Sequence, residues 1–196
     1  MPKKVDHQER RTLIADALMR VAADQGLEAV SLRHVAAQAG VSAGMVQHYF
    51  RTKDEMMAFA LSVVRERNQV RVTEAVTRLG TDPAPRLLLR TMIAALLPLD
   101  QRTRDDGRVA LAFLAYTAVR PAAAPSLRTG TEQLTGFIAS LLPAPDPDAA
   151  AAGLLALMEG LGVYLLGGQY TAEQALDALD AHLDLLFGQQ RGTPGM

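Results

Sequence analysis

The chain has 196 residues, of which 49% are apolar and 21% charged, and its 20 Lys/Arg against 21 Asp/Glu leave a net charge of −1 at pH 7. That length supplies one large or two small domains with a sizeable core, and near-neutrality excludes a polyanionic partner held by bulk charge alone. The chain has no cysteine, which excludes disulfides, thiol catalysis and thiolate metal sites.

Charge is uneven along the chain. Residues 1–53 hold Lys3, Lys4, Arg10, Arg11, Arg20, Arg33, Arg51 and Lys53 against Asp6, Glu9, Asp16, Asp24 and Glu28. The surplus is about +3 and leaves the remainder near −4, a basic head on an acidic body that suits nucleic-acid contact at one end. The N-terminus, MPKKVDHQERR, is polar and unlike a signal peptide, and no uncharged apolar run reaches membrane-spanning length. A cytoplasmic protein without a membrane partner is the expectation.

In chain order nearly everything reads as helix, with no sustained alternation of β-branched and aromatic residues to mark a strand. Asp6 and Glu9 resemble a capping pair ahead of Leu13, Ala17, Leu18 and Val21 at helical spacing, stopped by Gly26. Ser31 can cap LRHVAAQA, closed by Gly40, and Ser42 can cap AGMVQHYF. Thr52 and Glu55 fit a capping box opening a long helix to about Leu79.

Beyond Gly80 and a Pro-rich turn, apolar helices are predicted near 84–97, 101–119 and 125–142. Asp146-Pro147 supplies an N-cap with Pro in the first turn of a helix over about 147–166, ended by Gly167-Gly168. Thr171 and Gln174 form a further capping box for a helix to Phe187, and the tail 189–196 is expected to be disordered.

The stretch GVSAG (Gly40–Gly44) matches two patterns. As G-x-S-x-G it would be a nucleophile elbow, which needs a strand running into the turn and later Asp/Glu and His partners. The segment before it, SLRHVAAQA, has helical spacing instead, and His182, well downstream, reads as a solvated residue of an amphipathic helix. The second reading is the turn of a helix-turn-helix. Two helices of about eight residues are too short to stand alone, so they must pack on Leu13, Ile14, Leu18 and Val21. Left facing outward are Ser42, Ala43, Gln47, His48 and Lys53, polar groups with little apolar bulk, as a groove-reading helix requires.

At these residues the chain resembles a known family. SLRHVAAQAGVSAGMVQHYFRTKDEMM is similar to the DNA-binding domain of the TetR family of one-component regulators, over roughly residues 8–57. LMEGLGVYLL, ALDALDAHLDLLF and the HYF ending are similar to its BetI-type, betaine-pathway subgroup. The resemblance implies an all-α protein of about nine helices without catalytic residues or cofactor. A helix-turn-helix DNA-binding domain would occupy 1–53, and a ligand-binding and dimerisation domain 54–188. It implies a homodimeric repressor that leaves a palindromic double-stranded DNA operator when a small-molecule effector docks.

Carried over by position, Gln47 would contact a base, since its amide can pair with adenine, and His48 a base or a phosphate. Tyr49 and Lys53 match phosphate-binding positions, Lys53 helped by the positive end of its helix. Ser42 would cap and touch phosphate, Ala43 would approach the groove, and Gly44 would admit the backbone closely. Ser31 and Arg33 would hold phosphate from the preceding helix, with Lys3 and Lys4 as candidates for the neighbouring minor groove.

For the C-terminal part, LLALMEGLGVYLL is apolar nearly all round, so burial on both faces is expected. With Leu176, Leu179, Leu183 and Leu186 on one stripe of the last helix, and with Leu155, it suits a four-helix dimer interface. Effector-lining candidates are Phe59, Val63, Met92, Leu96, Phe113, Tyr116, Phe137, Met158, Glu159 and Tyr164. Glu159, costly if buried unpaired, should reach solvent at a rim, pair with an Arg, or meet a cationic ligand. The BetI-type resemblance points to choline. The absence of Trp argues against an aromatic cage, so a largely apolar effector is expected.

Overall fold

Nine α-helices and no strand occur among the described residues (2–26, 29–119 and 125–188) of the computed structural model. They are α1 (Pro2–Gln25), α2 (Leu32–Ala39), α3 (Ala43–Tyr49), α4 (Lys53–Thr77), α5 (Pro85–Leu96), α6 (Gln101–Val119), α7 (Pro125–Leu141), α8 (Pro147–Leu166) and α9 (Ala172–Gly188). The 189–196 tail and the side chains of Lys3 and Lys4 lie outside the described residues.

Local chemistry sets most boundaries. Asp146 caps α8 by accepting from the Ala149 amide at 3.1 Å, with Pro147 in the first turn where its missing N–H costs nothing. At α9 the box closes reciprocally: Gln174 N–H donates to Thr171 Oγ1 at 3.2 Å and Thr171 N–H to Gln174 Oε1 at 2.9 Å. At α4 the Glu55 amide donates to Thr52 Oγ1 at 3.1 Å, while the Glu55 carboxylate takes the Arg51 amide at 2.9 Å rather than that of Thr52. The start expected at Asp6 is corrected: α1 already begins at Pro2. Proline is suited to a first helical turn, and nothing between Pro2 and Asp6 breaks the helix.

By packing, the chain forms two units, residues 1–68 with 101–123, and residues 69–100 with 124–196. The first unit includes α6 because α6 packs on α1. In this first unit Arg67 of α4 joins three helices: its Nη2 donates to Asp16 of α1 at 2.7 Å and its Nη1 to Asp106 of α6 at 3.3 Å. Among the described residues Asp106 is the charged residue that is buried, at 6% exposure, which is tolerable because its carboxylate is paired.

The second unit has one apolar core, in which Leu89, Ile93 and Leu97 meet Leu154, Leu165, Leu179 and Leu183. Expected burial of α8 on both faces is not met within the chain. Ala151, Leu154, Leu161 and Leu165 face inward, while Val163 and Tyr164 stand 41% and 47% exposed. By length and composition Pro147–Leu166 could cross a membrane; Leu154 and Leu165, both at 0% exposure, make it a core helix here. His182, read as solvated, is half-buried, its Nε2 buried and without a hydrogen-bond partner among the described residues, since the turn of α9 that carries it also carries core Leu183.

Two arginines of α5 hold α9. Arg90 Nε donates to both carboxylate oxygens of Asp180, at 2.7 and 3.0 Å, and Arg86 Nε donates to Asp184 at 2.8 Å. The hydrogen bond from Arg90, aided by the charges of Arg90 and Arg86, holds the Asp180 carboxyl below the ordinary carboxylate range. A depressed carboxyl contributes stability that is present above its unfolded pKa and is lost as pH falls through the folded one. Asp180→Asn should therefore lower unfolding stability by about 1 kcal/mol at neutral pH, a value discounted for partial exposure. The gap to wild type should begin to narrow as pH falls to about 4, the ordinary aspartate range, and close only in stronger acid, where the depressed wild-type carboxyl also protonates. Denaturant melts at neutral and acid pH read this directly, and a gap that persists in acid would remove the ionic explanation.

Candidate nucleic-acid interface

The α2–α3 corner is built from two side-chain caps and one glycine. Ser31 Oγ accepts the His34 amide at 3.2 Å and Ser42 Oγ the Met45 amide at 3.1 Å. Between them Gly40 adopts φ +67°, a left-handed conformation costly for other residues. Gly40 N–H reaches Ala37 O at 3.2 Å and Val41 N–H reaches Ala36 O at 3.0 Å, the paired bonds of a Schellman turn. The nucleophile-elbow reading fails on this geometry, because helix α2 leads into the turn and Ser42 Oγ is occupied as a cap.

Each α3 side chain falls to one side or the other. Val46 and the following Phe50 are buried at 0%, whereas Ala43, Gly44, Met45, Gln47 and His48 are exposed and Tyr49 is half-buried. A Cβ on Gly44 would meet nothing nearer than Ser42 Oγ at 3.9 Å, so no intramolecular contact demands glycine there. Arg33 is exposed, while Ser31 and Lys53 are half-buried, Lys53 in the first turn of α4. Both serines accept amides through oxygen, which leaves their hydroxyl protons free to donate elsewhere.

Two residues of α1 that were not singled out from sequence fix the end of α3. The His7 ring meets the Tyr49 ring edge-on at 4.7 Å, and Tyr49 in turn meets His48 at 5.2 Å. One helical turn on, the Arg11 guanidinium lies 5.0 Å from the Phe50 ring and 4.4 Å from the Phe59 ring. The i, i+4 spacing of His7 and Arg11 was legible as a shared face, but not what that face covers.

The effector-lining candidates are distributed over both units. Phe59 packs on Phe50 at 5.5 Å in the first unit, as part of the support for α3. Val63 and Phe113 are buried there at 8% and 5%, and the Tyr116 hydroxyl donates to Asp54 Oδ1 on the first turn of α4. In the second unit Met92, Leu96 and Met158 are half-buried, and Phe137 and Tyr164 are exposed at 43% and 47%. Glu159 is exposed and, among the described residues, has no ion-pair partner, so of its expected fates it reaches solvent. Desolvation by its surroundings raises its carboxyl above the ordinary range. A cleft of about 310 Å³ in the first unit is lined by charged residues, among them Asp16, Arg20, Asp24, Arg67 and Asp105, and by none of these candidates.

Of the expected dimer residues, Leu155, Leu176 and Leu186 are half-buried. Leu179 and Leu183 require correction: both are 0% exposed in the unit's own core and present no surface to a partner. Leu185, off the predicted stripe, is 66% exposed.

Residues 14–58 match the family described as bacterial regulatory proteins, tetR family, and residues 85–188 match the BetI-type transcriptional repressor C-terminal family. The chain is 32% identical over 173 residues to the HTH-type transcriptional regulator PksA of Bacillus subtilis, covering 85% of this chain and 83% of PksA. A crystal structure of a transcriptional regulator from Rhodococcus sp. Rha1 superposes with a TM-score of 0.83 at 34% identity, over 91% of this chain and 96% of that one. The multidrug binding protein EbrR complexed with malachite green superposes with a TM-score of 0.63 at 28% identity, over 89% of this chain and 98% of that one.

Proposed function

Since the chain belongs to the TetR family of bacterial transcriptional regulators and is a DNA-binding protein, we propose that it is a ligand-responsive repressor acting as a cytoplasmic homodimer on a palindromic operator. The observation that carries the reading is the division of α3. Val46 and Phe50 are buried, and Gln47 and His48 are left exposed on a helix capped by Ser42. A helix anchored on one side with polar groups on the other is what base-edge reading needs.

In this assignment Gln47 reads a base edge and His48 the groove or its backbone. Tyr49, Lys53, Ser31, Arg33 and Ser42 hold phosphates, while Ala43 and Gly44 let the start of α3 close on the DNA. The exposed apolar groups Val163 and Leu185 on α8 and α9 support a second copy as partner, since exposed apolar groups mark interaction sites. Leu155, Leu176 and Leu186 join that interface in the reading. The effector in this reading is a small, largely apolar molecule; the complex of the multidrug binding protein EbrR with malachite green, an aromatic cationic dye, supports a small aromatic ligand. Phe137, Met158, Glu159 and Tyr164 stay as candidates for its contacts.

Selection of bound sites from a random duplex library by the purified protein tests the reading. A recovered palindrome with half-sites one helical turn apart, or a multiple, is expected. No enrichment at low salt overturns it.

A further inference from the structure

We propose that His7 of α1 is a further DNA contact, which extends the reading surface of α3 onto the first helix and takes a backbone phosphate beside Tyr49. The proposal rests on the repressor reading above, and its starting observation is the different character of two neighbouring rungs between α1 and the end of α3.

In the inner rung Arg11 is half-buried over Phe50, itself at 0% exposure, and Phe59 completes the stack. This rung is closed and supports the fold. In the outer rung His7 is exposed and its ring stands edge-on to the half-buried Tyr49, 4.7 Å between centroids at 60°. His48, also exposed, continues the row on the other side of Tyr49 at 5.2 Å. Three rings with polar edges thus form one surface from α1 to α3.

Packing alone would be served as well by a phenyl ring at position 7. Among the described residues, no hydrogen bond engages the His7 ring nitrogens, the His48 ring nitrogens or the Tyr49 hydroxyl. An imidazole carries an N–H donor in either tautomer and a phenol carries one O–H, and phosphate oxygens are the acceptors a duplex offers along its backbone. If Tyr49 takes a phosphate, its edge-on neighbour His7 lies within a side chain's reach of the same strand. Contacts of this kind set the protein's register on DNA without reading sequence, so His7 belongs with the positioning contacts.

The test uses the full chain and the duplex recovered by site selection. Binding is measured for wild type, His7→Ala and His7→Phe, on the plain duplex and on duplexes carrying one neutral methylphosphonate linkage at successive positions. Both variants should bind about three- to tenfold more weakly per subunit, as for one lost hydrogen bond of ordinary net strength at a solvent-exposed contact. One linkage should cost wild type the same factor and cost the variants nothing more. Unchanged affinity in His7→Ala, full recovery in His7→Phe, or additive losses at every linkage would each overturn the proposal and leave the repressor reading standing. If wild type enriches no site, both fall together.

Discussion

Phe50→Ala is expected to destabilise the first unit by about 3–5 kcal/mol, the range for removing a fully buried aromatic ring. Phe50 is 0% exposed and closes α3, its amide donating to Val46 O at 2.9 Å. Truncation would leave a cavity against Phe59, 5.5 Å away, and would take one of two rings from Arg11. Arg11 is poorly placed to adjust, because its Nε is already buried and, among the described residues, has no hydrogen-bond partner. A loss of that size is a large part of a typical domain's total stability, so operator binding should disappear with it. Hydrogen exchange locates the effect: amides of α2 and α3 should lose protection while those of α8 and α9 keep theirs. A loss under about 1 kcal/mol by denaturant melt would mean that the ring stack does not hold the reading helix.

The second large effect separates reading from gripping. Gln47→Ala should erase about 1–3 kcal/mol of discrimination at one base position of the operator and leave other positions as they were. Lys53→Ala should weaken binding to all duplexes by a similar factor and reduce the slope of log affinity against log salt by about one. Gln47 is exposed on α3 and Lys53 half-buried in the first turn of α4, so neither change removes core. Affinities of both variants across a site library at two salt concentrations decide the matter. If the two profiles fall in parallel, Gln47 is not a base reader.

Much of the fold was legible residue by residue. Ser31, Ser42, Asp146 and Thr171 cap the helices that their positions announced, because capping is chemistry between residues three apart. Gly40 at φ +67° follows the same logic. The start of α1 was misread for the converse reason: Asp6 and Glu9 have the right spacing for a cap, but Pro2 opens the helix earlier. The candidate interface was legible where burial follows period, with Val46 and Phe50 inside and Gln47 and His48 outside.

Periodicity carries no information on what covers a given face. Leu176, Leu179, Leu183 and Leu186 form one stripe in sequence, yet Leu179 and Leu183 are sealed in their own unit while Leu185 beside them is 66% exposed. Phe59, singled out from sequence as an apolar lining residue, lies in a stack with Arg11 and Phe50 that no local pattern announces. The amino-acid sequence by itself determined the helices, their caps, the helix-turn-helix and the polar row on α3, all products of contacts a few residues long. Only the tertiary structure decided that α6 joins the first unit through Asp106 and Arg67, that His7 and Arg11 pack against the end of α3, and which leucines of α9 remain on the surface. Those outcomes depend on residues distant in sequence meeting across helices, and the energy of such a meeting is a property of both partners that neither local pattern contains.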